Sequence, residues 1–188
     1  TFIVNTNDDV ELEKVLMREL IQRSIDGMII APSNDIKQLI PILLETHIPV
    51  VFTDRPGDEN ADFVGVDNRA ESKKLIRSFT KKPKRLSALV PYPENVSTIQ
   101  ERIEGTKEAC EADGIEYNYV DLPEDQEQVN KLIQQELDAG TDSFIALNNK
   151  CTLIALSALN KAGVRIPEDV RLISFDDSEA FRYMDPPI

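Results

Sequence analysis

Two hydrophobic periods alternate along this chain. Short apolar runs of strand length are each followed by a stretch in which apolar residues recur every three to four positions. The clearest case runs from Ser143 to Asp177. Ser143-Phe144-Ile145-Ala146-Leu147 predicts a strand, and Cys151, Ile154, Ala155, Ala158, Leu159 and Ala162 then mark one face of a helix. Gly163 supplies the helix stop, Pro167 punctuates a turn, and residues 170–175 predict a second strand ending in Asp176-Asp177. A strand, a helix and a strand in one sheet form a right-handed crossover between parallel strands.

The same pattern extends over the rest of the chain. Residues 2–5 predict a strand, after which Asp8 or Asp9 can cap a helix with Leu12, Val15, Leu16 and Leu20 on its apolar face. Residues 28–31 predict the next strand. Asn34 opens a helical segment with Ile36, Leu39, Ile40, Leu43 and Leu44, in which Pro41 sets the helix start near Leu39. Residues 50–53 and 63–66 are strand-like, and Asp67 or Asn68 can cap a helix through Ser72, Leu75, Ile76 and Phe79. A strand at 86–90 leads to a helix from Ser97 to near Gly114, carrying Ile99, Arg102, Ile103 and Thr106. A short strand at 117–120 and a helix with Val129, Leu132, Ile133 and Leu137 complete the series.

Strands alternating with helices predict parallel sheets covered on both faces, an α/β fold. A break near the middle predicts two Rossmann-like subdomains. The basic run Lys81-Lys82-Pro83-Lys84-Arg85 reads as the crossover between an N-terminal subdomain at 1–81 and a C-terminal one at 85–185. A solvated loop would have the same composition. No repeat at a solenoid period and no low-complexity segment occurs.

Composition narrows the functional classes. The net charge is −13 over 188 residues and no basic patch exceeds the short run at 81–85, which makes the chain a poor binder of a duplex backbone. No apolar run is long enough to span a bilayer. The two cysteines, Cys110 and Cys151, each fall on a predicted apolar helix face, so buried free thiols are expected, with a disulfide as the minor alternative, and a metal site lacks ligands. His47, the only histidine, sits before Ile48-Pro49 and reads as structural or solvated. The sequence opens on Thr1-Phe2-Ile3-Val4, inside a predicted strand and without an initiator Met, and stops at Pro186-Pro187-Ile188, so both ends read as cut.

The polar residues at the strand carboxyl ends are the candidate chemistry: Asn5-Thr6, Pro32-Ser33, Asp54-Arg55, Asp67-Asn68, Pro91-Tyr92, Asn148-Asn149 and Asp176-Asp177. Open α/β sheets bind ligands at that edge. Carboxylates and amides, with Arg102 on a nearby helix, suit bidentate bonding of vicinal hydroxyls. Asp67, Asn68 and Asn149 read equally as helix caps, and Arg102 as a salt-bridge partner for an acid. Phosphate-cradling glycine loops are missing, as are the nucleophile elbow and any histidine placed to serve a nucleophile, so binding is favoured over catalysis.

Several motifs resemble the effector-binding domain of the lactose/galactose repressor (LacI/GalR) family. They are Asp26-Gly27-Met28-Ile29-Ile30-Ala31-Pro32-Ser33, Ile48-Pro49-Val50-Val51-Phe52-Thr53-Asp54-Arg55, Val64-Gly65-Val66-Asp67-Asn68, Arg102-Ile103-Glu104-Gly105 and Leu147-Asn148-Asn149. The most specific is Ile166-Pro167-Glu168-Asp169-Val170 followed by Ser174-Phe175-Asp176-Asp177. The resemblance implies a class I periplasmic binding protein-like fold, truncated at both ends, whose two subdomains clamp a small effector, usually a sugar or nucleobase. It further implies a cytoplasmic homodimer that binds operator DNA only through an N-terminal helix-turn-helix head outside this sequence, with no cofactor, metal or membrane. Effector contacts carried over residue by residue fall on Asp54, Arg102, Asn148 and Asp176, with Thr98 and Arg55 as neighbours. Asn149 stands where the family usually has Asp, and Ile154 where a small Gly often sits. A sugar-binding protein of an ABC transporter is the alternative on the same fold.

Overall fold

The computed structural model describes residues 1–33, 36–91 and 96–184. The readings made at Asn34, Tyr92 and residues 185–188 lie outside them. Contacts divide the chain into two compact units, Thr1–Val66 and Asp67–Ile188.

The first unit carries a parallel sheet of β1 (Met28–Ile30), β2 (Val50–Thr53) and β3 (Asp62–Val64) in that order. Helix α1 (Val10–Gln22) precedes β1, and the short α2 (Ile40–Leu44) joins β1 to β2. Asp9 caps α1 through Oδ1, which accepts from the N–H groups of Glu11 and Leu12 at 2.9 and 3.1 Å. Met17, Met28 and Leu39 form the core, with Val10, Ile21, Ile30 and Val50 packed around them. Burying each of these side chains stabilises the fold by about 1.5–3 kcal/mol before entropy.

Three local readings change here. The buried face of α1 holds Glu13 and Met17, while Leu12 and Val15 are exposed. The period was legible but its phase was not, because Glu13 finds a buried partner: its Oε2 accepts from the N–H of Ser33 at 3.0 Å. The segment after residue 35 is a 3₁₀ turn (Ile36–Gln38) followed by α2, with Leu39 as N-cap and Pro41 in the first turn, where a missing N–H leaves no helical bond unmade. Residues 2–5 form no strand. Phe2, Ile3 and Val4 are exposed, and no described strand pairs with them.

The second unit is built on β4 (Arg85–Pro91), β5 (Glu116–Leu122), β6 (Ser143–Ala146) and β7 (Arg171–Ser174). All pair in parallel, in the order β5-β4-β6-β7. Around them lie α3 (Asn68–Arg77), α4 (Ser97–Asp113), α5 (Gln126–Asp138) and α6 (Asn149–Ala162). Strand alternation divides the apolar side chains between two cores. Leu89, Phe144 and Ala146 pack with Val129, Ile133 and Leu159 of α5 and α6. Leu86, Ala88, Val90 and Ile145 pack with Ile76, Ile99 and Ala109 of α3 and α4. Both faces are thus covered, as near-continuous apolar strands require.

Helix α3 therefore belongs to the second unit, and the division falls at Val66/Asp67 rather than at residues 81–85. The cause is a non-local contact. Gly105 of α4 lies so close to α3 that a Cβ built on it would stand 2.3 Å from the carbonyl oxygen of Arg69. The basic run instead leads from α3 into β4 within one unit.

Candidate functional site

The topology of the second sheet selects one edge. The chain leaves β4 through α4 toward β5, then returns to place β6 on the other side of β4. Strand order reverses between β4 and β6, and the crevice at their carboxyl ends is where such sheets take ligands. Arg102, on α4, reaches that edge. Its Nη1 donates to the carbonyl oxygen of Leu147, just after β6, at 2.6 Å and to Oδ1 of Asp176, beyond β7, at 3.3 Å. Its Nε donates to Oδ1 of Asn68 at 2.9 Å. The guanidinium carbon lies 3.8 Å from the centre of the Phe175 ring, a cation–π contact that fixes the plane of the fork.

Arg102 and Asp176 are thus brought together, with side-chain exposures of 11% and 35%. The guanidinium is held by protein groups on several sides while the carboxylate keeps an accessible edge. Asn148 stands at the same carboxyl edge as the N-cap of α6, its Oδ1 accepting from the N–H of Cys151 at 2.9 Å. Its Nδ2 has no partner among the described residues and remains a donor. Thr98 is buried in the first turn of α4, one turn before Arg102.

Sequence reasoning missed three supports. Asn68 was read as a possible cap, but Asp67 caps α3, its Oδ1 accepting from Ala70 N at 2.9 Å. Asn68 is buried and bonds Arg102 instead. Phe175 was visible only as a member of a motif. Thr152 and Ser174 tie the start of α6 to the end of β7: their hydroxyls lie 2.7 Å apart, with Thr152 Oγ1 3.0 Å from Asn148 O and Ser174 Oγ 2.7 Å from Asp176 O. A hydroxyl pair spaced across helix and strand carries no distinctive sequence signal.

Asp54 and Arg55 lie in the first unit, at the carboxyl end of β2. Asp54 has a left-handed backbone, φ +63°, and Arg55 N–H donates to Thr53 O at 2.7 Å. These values describe a γ-turn of the strained, positive-φ kind. The Asp54 carboxylate is exposed. Arg55 is not: its Nη1 donates to Asp8 Oδ1 at 2.6 Å and to Pro32 O at 3.1 Å, and its Nε lies 3.7 Å from Asp54 Oδ2.

Burial pushes the Cys110 and Cys151 thiols up to about 12, and both are free. Among the described residues no group of three or more His, Cys, Asp and Glu could hold a metal ion, and no helix is long and apolar enough to cross a membrane. The set at the strand ends, a fixed guanidinium beside a carboxylate with an amide donor and an aromatic floor, can bind polar, hydroxyl-bearing molecules. It contains no nucleophile–base pair.

Parallel sheets in both units, with helices between their strands, define an α/β protein of the class that takes ligands at strand carboxyl ends. A model of the periplasmic binding protein-like domain family matches residues 79–188, and the chain belongs to that family. It is 26% identical, over 99% of its length, to the HTH-type transcriptional regulator KdgR of Bacillus subtilis (strain 168). It is 25% identical, over 93% of its length, to the Ribose operon repressor of Halalkalibacterium halodurans. The chain spans 57% and 52% of the lengths of these relatives. The crystal structure of the transcription regulator CcpA of Lactococcus lactis superposes with a TM-score of 0.77 at 25% identity, covering 98% of this chain and 70% of that one. The resemblance to LacI/GalR regulators carried by the motifs is borne out by these relatives.

Proposed function

We infer that this protein is the effector-binding domain of a bacterial transcription repressor and that its effector is a small, sugar-type molecule. The observation that carries the reading is Arg102, whose guanidinium is fixed beside Asp176 before any ligand arrives. Vicinal hydroxyls can accept from such a fork and donate to the adjacent carboxylate, and prior fixation lowers the entropic cost of binding. Effector contacts are assigned to Arg102, Asp176, Asn148 and Thr98 in the second unit and to Asp54 in the first. An effector with different contacts in two conformations shifts their populations, which alters operator binding by the helix-turn-helix part of the whole regulator. The regulator acts in the cytoplasm as a homodimer and performs no catalysis. The names of the curated relatives, an HTH-type regulator and an operon repressor, support this over a transporter's sugar-binding protein.

The test is a thermal-shift screen of the full-length protein against sugars, sugar phosphates and purines, repeated with Arg102→Ala and Asp176→Ala. A ligand that raises the melting temperature of the wild type, with the shift lost in both variants, is expected. Equal shifts in wild type and variants would refute the site, and a response confined to purines would refute the sugar reading.

A further inference from the structure

Arg55 stands beside a candidate ligand carboxylate, yet its guanidinium is turned into the protein. It draws together the loops that follow residues 2–5, β1 and β2 within the first unit, through Asp8, Pro32 O and Asp54. The contact with Asp8 is forked, with Nη2 3.4 Å from Oδ2 in addition to the shorter Nη1 bond. Among the described residues, the carboxylates that meet this arginine belong to residues with left-handed backbones, Asp8 at φ +59° and Asp54 at φ +63°, and Asn7 before Asp8 lies at φ +51°. Non-glycine residues enter this region uncommonly, Asn and Asp more readily than most, and the conformation costs free energy that the surroundings must offset. Asp54 has one further backbone tie, its N–H donating to Val64 O at 3.2 Å.

We propose that Arg55 is a positioning residue, not an effector contact: it pins the strained turns that present the Asp54 carboxylate at the strand ends. The proposal rests on the reading of Asp54 as an effector contact, but the pinning itself is measurable without a ligand. A planar, forked cation suits the task. It serves Asp8, a carbonyl oxygen and Asp54 at once, which a lysine ammonium on a flexible stem cannot do with the same geometry.

The experiment is amide hydrogen exchange on the ligand-free full-length protein, comparing wild type, Arg55→Lys and Arg55→Met, each also in an Asp54→Gly background. Glycine adopts the left-handed turn without strain. Arg55→Met is expected to speed exchange at the amides of positions 54 and 55 by about tenfold or more, on the scale of one released strained residue. Arg55→Lys should restore part of the protection, and exchange in β1 should stay unchanged. In the Asp54→Gly background the effect of Arg55→Met at position 55 should largely disappear. An equal acceleration in both backgrounds would mean that Arg55 only packs the loop and would overturn the proposal, as would unchanged exchange in Arg55→Met. D-ribose added at saturating concentration gives a separate reading of the effector assignment. If the exchange pattern is as expected but ribose protects no amide, the pinning stands and the sugar assignment alone is in question.

Discussion

Asn68 lies between Arg102 and Glu101, its Oδ1 accepting from Arg102 Nε at 2.9 Å while its Nδ2 donates to Glu101 Oε2 at 3.0 Å. An amide presents an acceptor and a donor at once, so it can orient the guanidinium and satisfy the acid without adding charge. The residue is buried, so neither bond is readily replaced by water. Asn68→Leu is expected to weaken effector binding by about 1–3 kcal/mol, the cost of leaving these buried polar groups without their partner. Asn68→Asp keeps the acceptor for Arg102 but sets a carboxylate against Glu101, so it should retain more affinity and lose more stability. Calorimetric titration with a ligand found in the screen distinguishes them, and wild-type affinity in Asn68→Leu would remove Asn68 from the site.

Gly105 owes its place to backbone contact. With Arg69 O only 2.3 Å from where a Cβ would stand, α3 and α4 must separate to admit alanine. Gly105→Ala is expected to destabilise the protein by about 1–3 kcal/mol, as overpacking does, despite alanine's better helix propensity. Urea unfolding followed by circular dichroism measures this. A stabilised variant would mean the helices have slack. Because Arg102 is one turn from Gly105 on the same helix, a shift of α4 should also weaken effector binding.

How much of this was legible in the sequence differs between levels. The parallel strands of the second unit and the helices between them followed from periodicity, because Leu86–Val90 and Phe144–Leu147 are apolar on both faces and Gly114 and Gly163 stop their helices at left-handed positions. The unit boundary was not legible: the Lys and Arg run at 81–85 is conspicuous in composition, whereas the close approach of α3 to Gly105 is tertiary. Arg102 and Asp176 were found through motifs, and their contact confirms that the two segments meet. Asn68, Phe175 and Glu13 were missed in their roles because each depends on a partner far away in sequence. Arg55 was read as a ligand neighbour because the direction of its side chain cannot be inferred from its position after β2.

The two cysteines supply a probe of the cores they occupy. Cys110 packs with Ile76, Leu86 and Ile99, and Cys151 with Ala155, Leu159 and Phe144. Burial pushes both thiols up to about 12, so almost no thiolate forms at pH 8. A disulfide-exchange reagent at that pH should label neither cysteine in the native protein and both in denaturant. Rapid native labelling of Cys151 would show that α6 opens from the sheet far more readily than its packing implies.

The Ile166-Pro167-Glu168-Asp169 segment owes part of its fixed shape to an ion pair with a defined response to acid. Asp169 accepts from Arg165 Nε at 2.9 Å and Nη2 at 2.8 Å, and from the Arg165 backbone N–H at 2.9 Å. These bonds hold the carboxyl at about 2, below its ordinary 3.8. The folded protein therefore binds fewer protons here than the unfolded chain does, and stability from this group is present above 3.8 and lost as pH falls toward about 2. Asp169→Asn keeps an acceptor for the Arg165 N–H but removes the charge, so it isolates the ionic part. Wild type should melt above the variant near neutral pH, and the difference should shrink through the acid range. High salt should shrink it as well, since the pair lies at the surface and is screened. Melting curves of both proteins across that range provide the check. A difference that persists at the acid end would assign the effect of Asp169 to packing instead of charge.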